Sequence, residues 1–247
     1  MFKQLTLCLL ASAGFLFAAE LPTAEAVFNK SIEATGGEAG YEKVNTMLSR
    51  GTVEFTGQGI KGTIVLAFAR PDKSDMVMDL PGLGKIRTGS GGGAAWQTSA
   101  LQGPRVLRGE EREQIMRAAV PDSLVRWREV YGDVKVEGEE TLDGKPCWRL
   151  VAHPPRISKP ETLWFDKESG LLVKSVATLV SPMGEMPVES LYSDYRDAGG
   201  IKVAYSMRQS AGPQVIVTTL REAAVNAELP PSQFDTPREI QALLPHP

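Results

Sequence analysis

From about residue 48 onward, apolar side chains recur at every second position. The segments RGTVEFTG, KGTIVLAFARP, KSDMVMDLPG, GKIRTGSGG and GAAWQTS are short, rich in β-branched, aromatic or methionine residues, and bounded by Gly, Pro or Asp. Alternation of this kind between turn residues predicts antiparallel strands joined by tight turns. Ahead of them the period is different. In AEAVFNKSIEATGG, Val27, Phe28 and Ile32 share one helical face, Thr23 stands where an N-cap belongs, and Gly36 and Gly37 supply the stop. A second short helix is predicted over residues 38–45.

The alternation breaks once, at RGEEREQIMRAAVPDSLVRWREVYG. Glu110 and Glu111 suit the first turn of a helix, and Pro121 ends it or starts the next. Asp122 or Ser123 can cap a second helix, in which Leu124, Trp127 and Tyr131 share a face before Gly132. This helical insert spans residues 109–132. Beyond it, VKVEGEETL, KPCWRLVAH, ETLWFDKES, LLVKSVATLV, MPVESLYSDY, IKVAYSMRQS and QVIVTTLREA read as seven further strands. TLDGKPCWRLV, FDKESGLLVKS and YRDAGGIKVAY each set an acid and a glycine between two strands, the signal for a hairpin. The proline-rich tail, residues 229–247, is expected to form an extended strap with a short terminal helix. Mainly β with helices, the chain is expected to be one domain over residues 20–247.

The first nineteen residues stand apart. Lys3, an apolar run over residues 5–17 and small residues at Ala18 and Ala19 have the layout of a secretory signal peptide, with a cut after Ala18 or Ala26 as alternatives to Ala19. The run is shorter than the ~20 residues that a spanning helix needs. Removing it leaves Cys147 as the one cysteine, so an exported, periplasmic chain would have no internal disulfide and would depend on packing.

Charge and motifs exclude more than they suggest. Lys and Arg number 27 against 30 Asp and Glu, interleaved rather than in blocks, which argues against nucleic acid as a partner. The letters GQGIKG, residues 57–62, match a dinucleotide-binding pattern, but a strand rather than a helix comes after them. GSGGG lacks the Lys-Ser/Thr pair of a phosphate loop. No serine sits in a GxSxG context, and His153 and His246 with one cysteine make no zinc set. No cofactor and no metal is therefore expected. Glu189 and Asp194 in MPVESLYSDYRDAGGIKVAYSMR are the candidates for a carboxylate-dependent hydrolase, although the segment reads more simply as a twisted hairpin with a polar face.

The apolar positions carry the stronger hint. Methionines and tryptophans recur through the strands and the insert, and methionine suits surfaces that accept variable apolar partners. A long antiparallel sheet interrupted by one helical pair suggests a curved half-barrel whose inner face is covered by helices. Phased by the pleat, Val53, Phe55, Ile64, Leu66, Phe68, Met76, Met78 and Trp96 would line that face, with Met116, Leu124 and Trp127 from the helices.

The helix ending in EATGG, the segment GAAWQTSALQGPRVLRGEE, the hairpins FDKESGLLVKS and YSDYRDAGGIKVAYS, and the late NAELPPSQFDTP resemble the outer-membrane lipoprotein-sorting protein family in its broad, LolA-like sense. The resemblance covers residues 24–237 and rests on diffuse hairpin signatures. It implies an incomplete antiparallel β-barrel with helices in its mouth, and a cavity for acyl chains of lipids or lipoproteins. It also implies a non-enzymatic carrier with envelope or membrane proteins as further partners, and Arg50 lies near where such carriers place an arginine. At ~0.8 kcal/mol per buried methylene, roughly fifteen methylenes would contribute on the order of 12 kcal/mol before ordering costs. The rival reading is an envelope interaction protein with a filled interior.

Overall fold

The computed structural model describes residues 20–182 and 184–244; the expected signal peptide, residues 1–19, and Met183 lie outside them. Helices α1 (Ala24–Ala34) and α2 (Glu38–Glu42) come first. Strands β1 (Thr46–Phe55), β2 (Ile60–Ala69), β3 (Lys73–Leu80), β4 (Gly84–Gly91) and β5 (Ala94–Ser99) lie where the alternation places them, with a two-residue β6 (Arg105–Val106) that it does not mark. Helices α3 (Gly109–Ala118) and α4 (Trp127–Tyr131) occupy the break. The second half is β7 (Asp133–Leu142), β8 (Lys145–His153), β9 (Glu161–Asp166), β10 (Leu172–Ser181), β11 (Gly184–Asp197), β12 (Lys202–Ala211) and β13 (Gln214–Val225), and then α5 (Arg238–Gln241). The second helix of the insert is shorter than its apolar spacing suggests, because residues 121–126 form turns ahead of Trp127.

All thirteen strands join one open antiparallel sheet in the order β6-β5-β4-β3-β2-β1-β13-β12-β11-β10-β9-β8-β7. Every neighbouring pair is consecutive in the chain except β1 with β13. The chain thus starts at the middle of the sheet, meanders to one edge, and is carried by the helical insert to the other edge, from which it returns. Turn chemistry sets the registers. Asp143 and Gly144 both take positive φ between Leu142 and Lys145, as a two-residue primed turn requires. The Asp197 carboxylate accepts from the backbone N–H groups of Gly199 and Gly200, closing the β11–β12 hairpin.

Helix α3 shows how strongly the sheet curls. It contacts β4 and β5 on one side and β10 on the other. On a flat sheet β4 and β10, seven strand steps apart in this order, would be separated by ~33 Å at ~4.8 Å per step, whereas a ten-residue helix is ~15 Å long. The sheet therefore wraps into a half-barrel that α3 bridges. Arg105 holds the near end through a bidentate pair with Glu111 (2.7 and 2.8 Å). At the far end the Gln114 side chain donates to Thr178 O (2.6 Å) and accepts from Val180 N–H (3.1 Å). It takes the place of a neighbouring strand there, since β9 pairs with β10 only as far as Val176.

Helix α1 packs on the inner face. Thr23 caps it, its hydroxyl accepting from Ala26 N–H at 3.1 Å, and Phe28 is its anchor. The Phe28 ring stacks on Trp127 at 4.6 Å and 1°, and meets Phe165 edge-on at 5.3 Å and 66°. Leu150 and Leu163 complete this core. At the C-terminal end Gly36 has φ 130°, and an added Cβ would lie 2.3 Å from Gly200 O. Gly36 is there because α1 must touch the β11–β12 turn closely, with Lys202 N–H donating to Thr35 O at 2.8 Å. Gly36→Ala is accordingly expected to destabilise the protein by more than ~1 kcal/mol in chemical denaturation.

The tail crosses the opposite, outer face. The Asp75 carboxylate receives Arg87 (2.6 and 3.1 Å) and the Gln233 side-chain amide (2.6 Å), and Arg87 also donates to Gln233 O (3.1 Å).

Candidate functional site

Two cavities lie between the inner face of the sheet and the helices. The larger, about 400 Å³, is bounded by Met47, Leu66, Phe68, Leu124, Val203, Met207 and Leu220, with Ser31, Ser49, Thr218 and tyrosine side chains among them. The second, about 350 Å³, lies under α3 and is bordered by Gln114, Arg117, Glu161, Ser175, Ser190 and Gln209 together with Val188, Leu179 and Ala177. Ser123, Tyr131, Leu172 and Tyr192 line both, so the two chambers adjoin along these residues. Each volume falls within the ~300–1,000 Å³ usual for small-ligand sites.

Among the described residues, the only charged ones lining either chamber are Arg117 and Glu161. The guanidinium of Arg117 grips Glu161 through both oxygens (2.7 and 2.8 Å) and donates to Val130 O through Nε (3.0 Å). Such bidentate, charge-assisted pairing holds both side chains in place. The pair is largely buried, with side-chain exposures of 17% and 13%. It also fastens α3 to the end of the insert and to β9.

Tyrosines form the seam between the chambers. Tyr192 shares a hydrogen bond with Ser175 (3.0 Å), and Tyr195 donates to Leu172 O (2.7 Å). Burial, reinforced by the nearby Glu161 carboxylate, pushes the Tyr131 hydroxyl well above the ordinary phenol range. Burial does the same to Tyr195. Both stay neutral phenols throughout the physiological range. Tyr192 and Tyr195 reach the larger chamber although they stand an odd number of positions, three, apart in β11. The backbone at Asp194 is left-handed (φ 56°), which aspartate tolerates better than most residues, and this interrupts the strict alternation.

The expected lining residues divide into groups. Leu66, Phe68 and Leu124 border the larger chamber. Val53, Phe55, Ile64, Met76 and Met78 pack instead with Leu80, Leu83 and Ile86 in a filled cluster that borders neither chamber, apart from its Leu66 neighbour. Trp127 is part of the Phe28 core, and Met116 on α3 borders neither chamber. Trp96 requires a correction. Leu66, Met76, Thr88 and Gln97 form one cross-strand row, so the next row, Ala67, Asp75, Gly89 and Trp96, faces the other way. Trp96 is buried on the outer face, under the Arg87 guanidinium at 5.1 Å and against Gly89, where a Cβ would lie 2.3 Å from the indole. A shift of one residue in β5 reverses its face, and the glycine-rich turn before it carries no pattern from which to count.

Arg50 also faces outward. Its neighbour Ser49 lines the larger chamber, while Arg50 is an exposed ion pair with Glu222. Glu189 and Asp194 do not form a carboxylate pair: Glu189 is bound by Lys174 at 2.7 Å, Asp194 by Arg196 at 2.6 Å, and neither residue lines either chamber. Among the described residues no group of three or more His, Cys, Asp and Glu has metal-binding geometry. Sequence reasoning missed Arg117, Glu161 and the tyrosine seam. Tyr192, Tyr195 and Tyr205 were visible only as strand residues of a polar hairpin.

No protein-family model matches the chain, and no curated protein does. Solved structures do. A LolA superfamily protein from Nitrosomonas europaea superposes with a TM-score of 0.57 at 13% identity, over 87% of this chain and 99% of that one. This chain has a LolA-like fold. A DUF1329 family protein from Desulfovibrio piger reaches a TM-score of 0.61 at 15% identity, over 85% of this chain and 96% of the other. A domain named for outer membrane lipoprotein sorting, from Vibrio parahaemolyticus, gives 0.54 at 11% identity, with 84% and 97% covered. At such identities the likeness lies in the LolA-like sheet and its helices, and the chambers must be read from this chain's own residues.

Proposed function

We propose that this protein is an exported, periplasmic carrier that binds lipid-like ligands, without catalysis, between its half-barrel and its helices. The supporting observation is the larger chamber, an apolar space of about 400 Å³ bordered by Leu66, Phe68, Leu124, Met207 and Leu220. Burial of hydrocarbon there is favourable by ~0.8 kcal/mol per methylene and needs no reactive group. Methionines at positions 47 and 207 suit an acyl chain of variable path. The name of one solved structure of this fold, for outer membrane lipoprotein sorting, agrees with such a role. The layout of residues 1–19 agrees with export.

Native mass spectrometry of the protein purified from its own periplasm, with solvent extraction of the bound material, tests this reading. A stoichiometric adduct bearing an acyl chain is the expected result. A protein that emerges empty and takes up no added single-chain lipid would instead favour the rival reading, an envelope interaction protein.

A further inference from the structure

The two chambers differ in chemistry, and within the carrier reading that difference specifies the ligand. The larger chamber has no charged lining residue among the described ones. The smaller has Arg117 and Glu161, which neutralise one another through two hydrogen bonds. A ligand spanning both would therefore meet no uncompensated charge. What it would meet are uncharged polar groups at the junction. Tyr131 and Ser123 border both chambers, and no hydrogen bond is made by either side chain among the described residues. Gln209 contributes an amide held only by a long contact to Ser190 (3.4 Å).

We infer, resting on the carrier reading, that the site takes a single-chain amphiphile with an uncharged head bearing hydroxyl and carbonyl groups, its chain in the larger chamber and its head in the smaller. At about 400 Å³ the larger chamber lies towards the small end of the range usual for small-ligand sites, a size that suits a single chain. A carboxylate head would lose its hydration and find Arg117 already engaged, with Glu161 repelling it from the same position. A glycerol monoester needs no counter-charge, and its hydroxyls and ester carbonyl match the donors and acceptors of Tyr131, Ser123 and Gln209.

The test is displacement of a fluorescent apolar probe, N-phenyl-1-naphthylamine, from the purified protein by monolauroylglycerol and by laurate at pH 8. The chains are the same length and only the heads differ. Monolauroylglycerol is expected to compete at ~10-fold lower concentration or better, since a buried charge without a free partner is strongly disfavoured. Glu161→Gln leaves Arg117 without its carboxylate, so it should narrow the gap chiefly by improving laurate. Tyr131→Phe preserves the ring and should narrow the gap from the other side, by several-fold weakening of monolauroylglycerol. Circular dichroism and a melting curve establish that each variant is folded, and either folded variant suffices for the comparison. Equal or tighter competition by laurate in the unaltered protein overturns the inference while leaving the carrier reading intact. If neither the probe nor any lipid enters, the carrier reading fails and this inference fails with it.

Discussion

Phe28→Ala is expected to lower the stability of the protein by ~3–5 kcal/mol, the usual cost of emptying a large aromatic from a core that cannot collapse. Phe28 is fully buried. Its ring joins α1 to the insert through Trp127 and Tyr131 and to the sheet through Phe165. Removing it leaves a void where these three elements meet. For a chain of this length each kcal/mol corresponds to ~2–4 °C, so the melting temperature should fall on the order of 6–20 °C in differential scanning calorimetry. Leu101→Ala serves as the contrast. Leu101 is 73% exposed, and its truncation should stay within ~0.5 kcal/mol of the parent. A Phe28 variant that melts with the parent would mean that α1 is not anchored through this ring.

Phe68→Glu should reduce uptake of apolar ligands at least ~10-fold while the protein remains folded. Phe68 is half-buried and borders the larger chamber rather than the closed core. A glutamate there would place an unpaired carboxylate against hydrocarbon, which is costly when the chamber is dry and tolerable when it is empty and wet. Loss of binding is therefore expected without loss of the fold. Thr63→Glu tests the directionality of the pleat. It lies on the same strand, is exposed, and pairs with Thr52 and Asp79 in a row that faces the outer side. The affinity of this variant for N-phenyl-1-naphthylamine should match that of the parent. Equal uptake by folded Phe68→Glu would remove the larger chamber as the ligand site.

The architecture was legible because it arises from local rules. Period-two alternation and punctuation by Gly, Pro and Asp marked twelve of the strands at nearly their observed positions. The Thr23 cap and the Gly36 stop bounded α1 for reasons contained in a few adjacent residues. The DAGG turn of the β11–β12 hairpin was likewise readable, since the Asp197 carboxylate bonds to its own loop. The two-residue β6 has too little length to show a period.

The site was less legible, because it is made where distant segments meet. Alternation says that Leu66 and Phe68 share a face with Ile64, but only packing decides that Ile64 closes against Leu80 while Leu66 and Phe68 border open space. Arg117 and Glu161 are forty-four residues apart and become a pair only because the curled sheet brings β9 under α3. The same curl turns a tyrosine-rich hairpin, whose Glu189 and Asp194 are spent on neighbouring cations and whose Asp197 is spent on its own turn, into the wall of a cavity. Trp96 shows the limit from the other side: its burial could be expected from its chemistry, but its face depended on register through a turn of glycines and on the tail that crosses the outer surface. The sequence by itself determined the strands, their turns and the ends of the first helix, since those are settled within a few residues of chain. The tertiary structure alone decided which apolar side chains enclose a space, because that depends on the curvature of thirteen strands and on the helices laid across them.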